Sequence, residues 1–255
     1  MTADEAARST SGPAPRARAL RPRDAATLII VDTSSGEARV LLGRRRPDMV
    51  FMPGRYVFPG GRVDRADRQI AVEPDIASSD LKDLDRKKLM IAMKGTVSEA
   101  RARALALAAV RETFEEAGLL LGRPLKAPVQ HKAPGWQAFY AAGFAPALAE
   151  LSFFARAITP PGRPRRYDTR FFCAPAEAIV HRVAVADGEL SDLEWLSIPQ
   201  ARNLELPNIT RVVLEDLGER VAAGGLAIKD FPVPFYHRRN GSYRRDLITA
   251  EAELD

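Results

Sequence analysis

From Ala26 to Val31 the chain reads Ala-Thr-Leu-Ile-Ile-Val, an apolar run too short for a helix and bounded by charged and turn residues. That pattern predicts a buried strand. Asp32-Thr-Ser-Ser-Gly36 predicts a turn and Val40-Leu-Leu42 its hairpin partner. Arg44 to Arg55 carries Pro47, Pro53 and Gly54 and predicts a loop, after which Tyr56-Val-Phe58 is a short strand stopping at Pro59-Gly60-Gly61. The paired glycines allow the backbone to approach a ligand closely. Asp64 to Met93 is strongly charged with scattered Leu, Ile and Met, the pattern of one or two amphipathic surface helices. From Thr96 the Thr-Val-Ser-Glu opening and the alanine-rich stretch behind it predict a helix to Ala117, with Gly118 as terminator. Beyond it, Gly135 to Leu148 reads as helical in part. Leu151 to Ala157, Arg170 to Ala174 and Glu194 to Ser197 read as strands, Pro199 to Asn203 and Asn208 to Leu217 as helices. With no internal repeat and no interdomain linker, the expectation is one mixed α and β domain over 23–217. Residues 1–22, rich in Ala, Arg, Ser and Pro, are expected as a disordered tail, and 218–255 as a C-terminal extension.

Composition narrows the class. At 255 residues, 46% hydrophobic and 28% charged, the chain has the make-up of an ordinary globular protein. Lys and Arg number 38 against 33 Asp and Glu, a formal charge of +5, and arginines cluster at 44–46, 163–166 and 238–245. A modest positive field suits an anionic small molecule as well as nucleic acid. Cys173 is the single cysteine, which excludes an intrachain disulfide framework, a thiolate zinc cluster and a CxxC redox pair. The expected location is cytoplasmic, since no apolar run reaches the ~20 residues of a membrane helix and the N-terminus lacks a secretory hydrophobic segment. A Walker A loop, GxGxxG, HExxH and GxSxG are all absent. His131, His181 and His237 stand without ligand spacing and are assigned no role.

The informative segment is Arg111-Glu112-Thr113-Phe114-Glu115-Glu116-Ala117-Gly118-Leu119. At about 100° per residue, Leu107, Val110, Phe114 and Ala117 gather on one stripe and Glu112, Glu115 and Glu116 nearly opposite. Like charges three and four apart repel by a few tenths of a kcal/mol per pair. Two explanations stand: a solvated face with Arg111 bridging Glu115, or a site for a hard divalent cation, which takes oxygen ligands.

Phe58-Pro59-Gly60-Gly61, then Asp67, then this run, resembles the signature of the Nudix hydrolases: a glycine, five residues, Glu, seven residues, and Arg-Glu-x-x-Glu-Glu-x-Gly. Three features depart from it. Asp67 stands where the family has Glu, and 43 residues rather than seven separate it from Arg111. Thr113 also occupies a usually apolar position. An interrupted motif of this kind is similar to that of a subgroup that includes coenzyme A diphosphatases. Leu41-Leu42, Arg45, Gly54 and the FPGG loop match part of a pattern of those members, although Val50 replaces an expected Arg.

The resemblance implies an α/β (α+β) fold, a Nudix-like α/β/α sandwich whose mixed β-sheet lies between helices, with a helical insertion at about 68–103. It implies a Nudix diphosphatase using Mg²⁺ or Mn²⁺, with Glu112, Glu115, Glu116, Asp67 and Gly60 as metal ligands. Asp64 is an alternative to Asp67. Arg111 would hold a helix glutamate in place. Arg44, Arg45 and Gly61 are the expected substrate contacts, and the general base is left between Glu112 and a loop carboxylate such as Glu189. The expected partner is a small nucleoside diphosphate derivative, most of all coenzyme A or an acyl-coenzyme A, with ADP-ribose or NADH as the alternative. A catalytically silent binding module for nucleic acid is the reading from another class. A homodimer is a candidate assembly, and no membrane partner is expected.

Overall fold

The computed structural model describes residues 20–49, 52–73, 79–127, 129–185, 188–225 and 230–251. Most of the expected N-terminal tail, and Val50, lie outside the described residues. The apolar run at 26–31 lies within β1 (Arg23–Asp32), which turns into β2 (Arg39–Arg45) with Val31 opposite Val40. Short strands β3 (Tyr56–Val57) and β4 (Gly60–Arg62) follow, then helices α1 (Arg65–Ile70), α2 (Asp83–Met90) and α3 (Glu99–Ala117). The chain continues through β5 (Leu119–Pro124), α4 (Gln137–Ala141), β6 (Phe144–Pro146), β7 (Ser152–Ile158), β8 (Tyr167–Pro175), β9 (Ile179–Arg182) and β10 (Leu190–Ser197). It closes with α5 (Ile198–Arg202), α6 (Asn208–Ala222), β11 (Val233–Arg239) and β12 (Ser242–Ile248).

The main sheet runs β10-β2-β1-β8-β7-β11-β12, with β3 beside β2 and β4 beside β1; β6-β5-β9 form a second, smaller sheet. It is mixed, because β1 pairs with β8 and β7 with β11 in parallel while the other pairs are antiparallel. Strand β1 explains why its sequence does not alternate polar with apolar. Ala26, Leu28 and Ile30 enter the core with α3, whereas Ile29 and Val31 enter the core with α5 and α6. A strand covered on both faces is apolar throughout. The expected α/β/α sandwich is therefore observed.

Helix α3 starts two residues later than Thr96 implies, with the Ser98 hydroxyl accepting from the Arg101 N–H at 3.2 Å. It ends at Gly118, whose φ of +67° is the left-handed cap expected of glycine. Residues 104–110 of this helix are all buried, and its alanines let the axis approach the sheet closely. Thr113, polar where apolar is usual, is fully buried and donates its hydroxyl to the Ala109 carbonyl at 2.8 Å, which removes the cost of the substitution.

The insertion packs on α3 rather than over the end of the sheet where the carboxylates gather. Lys88 of α2, buried, donates to Asp230 and to the Phe231 carbonyl, each at 2.8 Å, and so fastens the insertion to the chain leading into β11. The region expected as an extension from 218 onward is continuous with the domain: α6 runs through Leu217 to Ala222, and β11 joins the main sheet beside β7. Pro234, His237 and two arginines interrupt the strand pattern there, and only pairing with β7 and β12 reveals it. No helix among the described residues is long and apolar enough to cross a membrane.

Candidate active site

Strand β4 lies antiparallel to β1, with Gly60 opposite Thr27 and Gly61 opposite Ala26. The end of α3 crosses above it. The Gly60 N–H donates to Glu116 Oε2 at 2.8 Å. A methyl group added at Gly61 would sit 2.4 Å from the Glu112 carboxyl carbon, so that carboxylate rests on bare backbone. The glycines are thus required by close approach of two functional groups, and their spacing places the loop against the carboxylate face of α3.

Arg111, only 3% exposed, organises the rest. Its Nε and one terminal nitrogen donate to the two oxygens of Asp67 at 2.8 and 3.0 Å, and its other terminal nitrogen donates to Glu115 at 2.7 Å. The nitrogen facing Asp67 Oδ2 also lies 2.9 Å from Glu112 Oε1 and donates to the Arg62 carbonyl at 2.9 Å. Burial alone would lower the Arg111 pKa, but the bonds and charges of Asp67, Glu112 and Glu115 outweigh it and raise it. The expectation that Arg111 holds a helix glutamate in position corresponds to this geometry.

Asp67 is engaged by Arg111 and its neighbours. It is fully buried, and besides Arg111 it accepts from the Asp64 N–H at 2.8 Å and from the Trp136 indole N–H at 2.9 Å. Four donors occupy its two oxygens, so it is placed to hold Arg111. Asp64 is exposed and lines the cleft described below. Trp136, at the start of α4, escapes sequence reasoning because it lies 69 residues from its partner. The one signal available is that a buried indole N–H requires an acceptor.

The remaining carboxylates are strained electrostatically. Glu116 is 5% exposed, and burial pushes its pKa up to about 8, with the charges of Glu112 and Glu189 adding to the effect and the Gly60 N–H opposing it. Burial raises Glu112 to about 7, opposed by Arg111 and reinforced by Glu115 and Asp67. Asp67, Glu112, Glu115 and Glu116 together outnumber the guanidiniums of Arg111 and Arg45 that act on them. A donor set of this kind fits a hard divalent cation, since it offers carboxylate oxygens beside a glycine carbonyl and carries excess negative charge. Among the described residues no three carboxylate, His or Cys side chains converge as a ready cage, because Glu115 turns to Arg111 and Glu116 to the Gly60 N–H.

These groups line one end of a cleft of about 900 Å³. Its floor is formed by Ala25 and Thr27 of β1 with Thr169 and Phe171 of β8, and Pro207, Ile209 and Thr210 close one side. Arg45 lines it near Glu116 and pairs with Glu189 at 3.2 Å, which brings two residues 144 apart in sequence into the site. Arg44 is not among its lining residues; exposed on the next position of β2, it donates to the Gly54 carbonyl at 3.3 Å. Gly60 and Gly61 both face the cleft, and no described residue of 68–103 does.

Residues 22–142 match the NUDT19 Nudix domain. The acyl-coenzyme A diphosphatase NUDT19 of Gallus gallus is 29% identical over 201 residues, covering 59% of this chain and 52% of that protein. Its Homo sapiens counterpart is 38% identical over 109 residues, covering 35% and 28%. The chain thus spans about half or less of the length of these two relatives. Among solved structures, the crystal structure of a Nudix hydrolase from Alicyclobacillus acidocaldarius superposes with a TM-score of 0.56 at 29% identity, covering 76% of this chain and 90% of that one. The interrupted motif, the glycines beneath α3 and these likenesses agree: the chain is similar to the Nudix hydrolases, and over residues 22–142 to the Nudix domain of the coenzyme A diphosphatases.

Proposed function

We propose that the protein is a divalent-cation-dependent diphosphatase acting on a nucleoside diphosphate derivative, with coenzyme A or an acyl-coenzyme A as substrate and Mg²⁺ or Mn²⁺ as cation. The observation that carries this reading is the excess of buried carboxylate against Gly60 and Gly61: Glu112 and Glu116 are held where their own charge is unfavourable. Such a site is stabilised by positive charge brought from outside.

Glu112, Glu115 and Glu116 would hold the cation, with the Gly60 carbonyl beside them. When bound, it neutralises diphosphate charge and acidifies water. The chain's own residues do the rest. Asp67, fixed by Trp136, keeps Arg111 in position, and Arg111 in turn fixes Glu112 and Glu115. Arg45 supplies a guanidinium for a phosphate oxygen, and its pairing with Glu189 keeps it pointed into the cleft. Hydrolysis joins a water oxygen to phosphorus and breaks a bridging P–O bond, leaving two phosphomonoesters. The proton lost by water goes to a cleft carboxylate, for which Glu112 and Glu189 are both placed.

The test is turnover of coenzyme A, acetyl-coenzyme A, ADP-ribose and NADH with Mg²⁺, with Mn²⁺ and with excess chelator. Cation-dependent cleavage with preference for the coenzyme A compounds is expected. Undiminished turnover in chelator would remove the metal reading, and faster cleavage of ADP-ribose or NADH would replace the substrate.

A further inference from the structure

We propose that the end of the cleft remote from Glu116 is a separate anion subsite, formed by Arg21, Arg23 and Arg165, that takes a phosphomonoester group of the substrate distinct from the diphosphate being cleaved. The identity of that substrate rests on the diphosphatase reading above; the subsite itself rests on the geometry of the cleft.

Arg23, Ala25 and Thr27 alternate along β1 and share the face that floors the cleft. Thr27 lies opposite Gly60, where Glu116 is bound, and Arg23 lies four residues away, about 13 Å at the usual strand rise. Between them the floor is Ala25 and, on β8, Thr169, small side chains that leave space above. One surface therefore connects a carboxylate end to an arginine end. The spacing suits one nucleotide carrying phosphate at two positions.

The arginine end is held in shape by its backbone. The Arg23 N–H donates to the Arg166 carbonyl at 2.9 Å, and the Tyr167 N–H to Thr159 Oγ1 at 3.1 Å. The Arg166 guanidinium donates to the Thr159 carbonyl at 2.9 Å and the Leu20 carbonyl at 2.5 Å, joining the loop between β7 and β8 to the segment before β1. Arg166 is thus committed to structure. Arg21, Arg23 and Arg165 are different: exposed, lining the cleft, and, among the described residues, without a carboxylate partner. Three unpaired guanidiniums on one rim repel one another, and a phosphomonoester, nearly dianionic at neutral pH, offsets that repulsion while matching their planar donors. Arg45, at the other end and paired with Glu189, is left for the diphosphate.

The experiment has two arms. In the first, kcat/KM for coenzyme A is divided by that for 3′-dephospho-coenzyme A in the native protein and in Arg23→Ala, Arg165→Ala and the double variant. A native ratio of tenfold or more, collapsing toward one in the double variant, is expected; a native ratio near one, or a ratio the variants leave intact, would overturn the subsite. In the second arm, the metal-free protein is titrated calorimetrically with adenosine 3′,5′-bisphosphate and with adenosine 5′-monophosphate. The bisphosphate should bind at least tenfold more tightly, and the double variant should abolish the difference. Should neither coenzyme be hydrolysed, the diphosphatase reading fails on its own, and the second arm still decides the subsite: equal binding of the two nucleotides refutes it.

Discussion

Two buried charge clusters involve α3, one near its C-terminus and one near its start. At the C-terminal end, Arg111 pairs with Asp67, Glu112 and Glu115, and Glu116 accepts from the Gly60 N–H. At the other, Arg101, Arg156 and Arg170 share Asp24 and Asp168. Arg156 forks onto Asp168 at 2.9 and 2.8 Å and reaches the Ala92 carbonyl at 3.0 Å, while Arg101 forks onto Asp24 at 2.9 and 3.0 Å. The consequences for protonation are opposite. Burial raises Glu112 and Glu116, whereas for Asp168 burial is outweighed by Arg156 and Arg170 and its pKa is lowered. A cluster whose charges are nearly matched can stabilise a junction, here between α3, β1, β7, β8 and the end of the insertion. A cluster left with excess carboxylate is one that a bound cation would stabilise.

The sharpest way to break this comparison is to remove one carboxyl charge from each cluster. Glu116→Gln should lower the cation-dependent rate by about two orders of magnitude or more while leaving the melting temperature of the metal-free protein unchanged or higher. Asp168→Asn should do the reverse, costing about 3–5 kcal/mol of stability by stranding buried guanidinium charge, with folded protein still active. Rate assays and denaturant melts of both variants check this; a destabilised Glu116→Gln protein with native activity would make the two clusters equivalent.

The glycines sharpen it next. A Cβ at Gly60 would lie 2.6 Å from the Ala26 carbonyl and the Thr27 Cα, so Gly60→Ala must displace sheet backbone and should cost about 1–3 kcal/mol. At Gly61 the obstruction is the movable end of Glu112, so Gly61→Ala should fold normally and lose up to about 10²-fold in rate by misplacing that carboxylate. Comparing melting temperature with kcat for the two proteins separates packing from positioning.

Trp136→Phe removes one of four donors from Asp67 while retaining an aromatic ring. It should cost about 1.5 kcal/mol, the scale of a hydrogen bond to a charged group, and lower kcat more than it raises KM. Unaltered kinetics would show that Arg111 holds its position without the indole.

A last prediction concerns the pH dependence of metal-free stability. A carboxyl whose pKa is higher folded than unfolded binds more protons in the native state between the two values, so stability falls as pH rises through that window. For Glu112 the window is 4.5 to about 7 and for Glu116 4.5 to about 8. Asp168 has the opposite sign: its contribution is present above 3.8 and lost as pH falls through its lower folded value. Melts without cation should therefore weaken from pH 5 to 8, and added Mg²⁺ or Mn²⁺ should raise the melting temperature more at pH 8 than at pH 6.

Local pattern by itself determined β1, the α3 helix with its glycine cap and the shared face of Glu112, Glu115 and Glu116, because each depends on periodicity or on residues a few positions apart; Gly60 and Gly61, expected to end a strand, instead open β4. The Nudix resemblance followed from the same short runs. Tertiary structure alone decided what Asp67 does, since four donors from Arg111, Trp136 and Asp64 converge on it, one of them across 69 residues. It also decided that Glu116 is buried rather than solvated, that Arg45 faces the cleft with Glu189 while Arg44 lies outside its lining, and that the final hairpin completes the main sheet beside β7. Sequence periodicity fixes which side of a helix or strand a residue occupies; whether that side meets water, an opposing charge or another strand depends on chain segments far away, and those contacts set both the burial and the protonation on which a catalytic carboxylate depends.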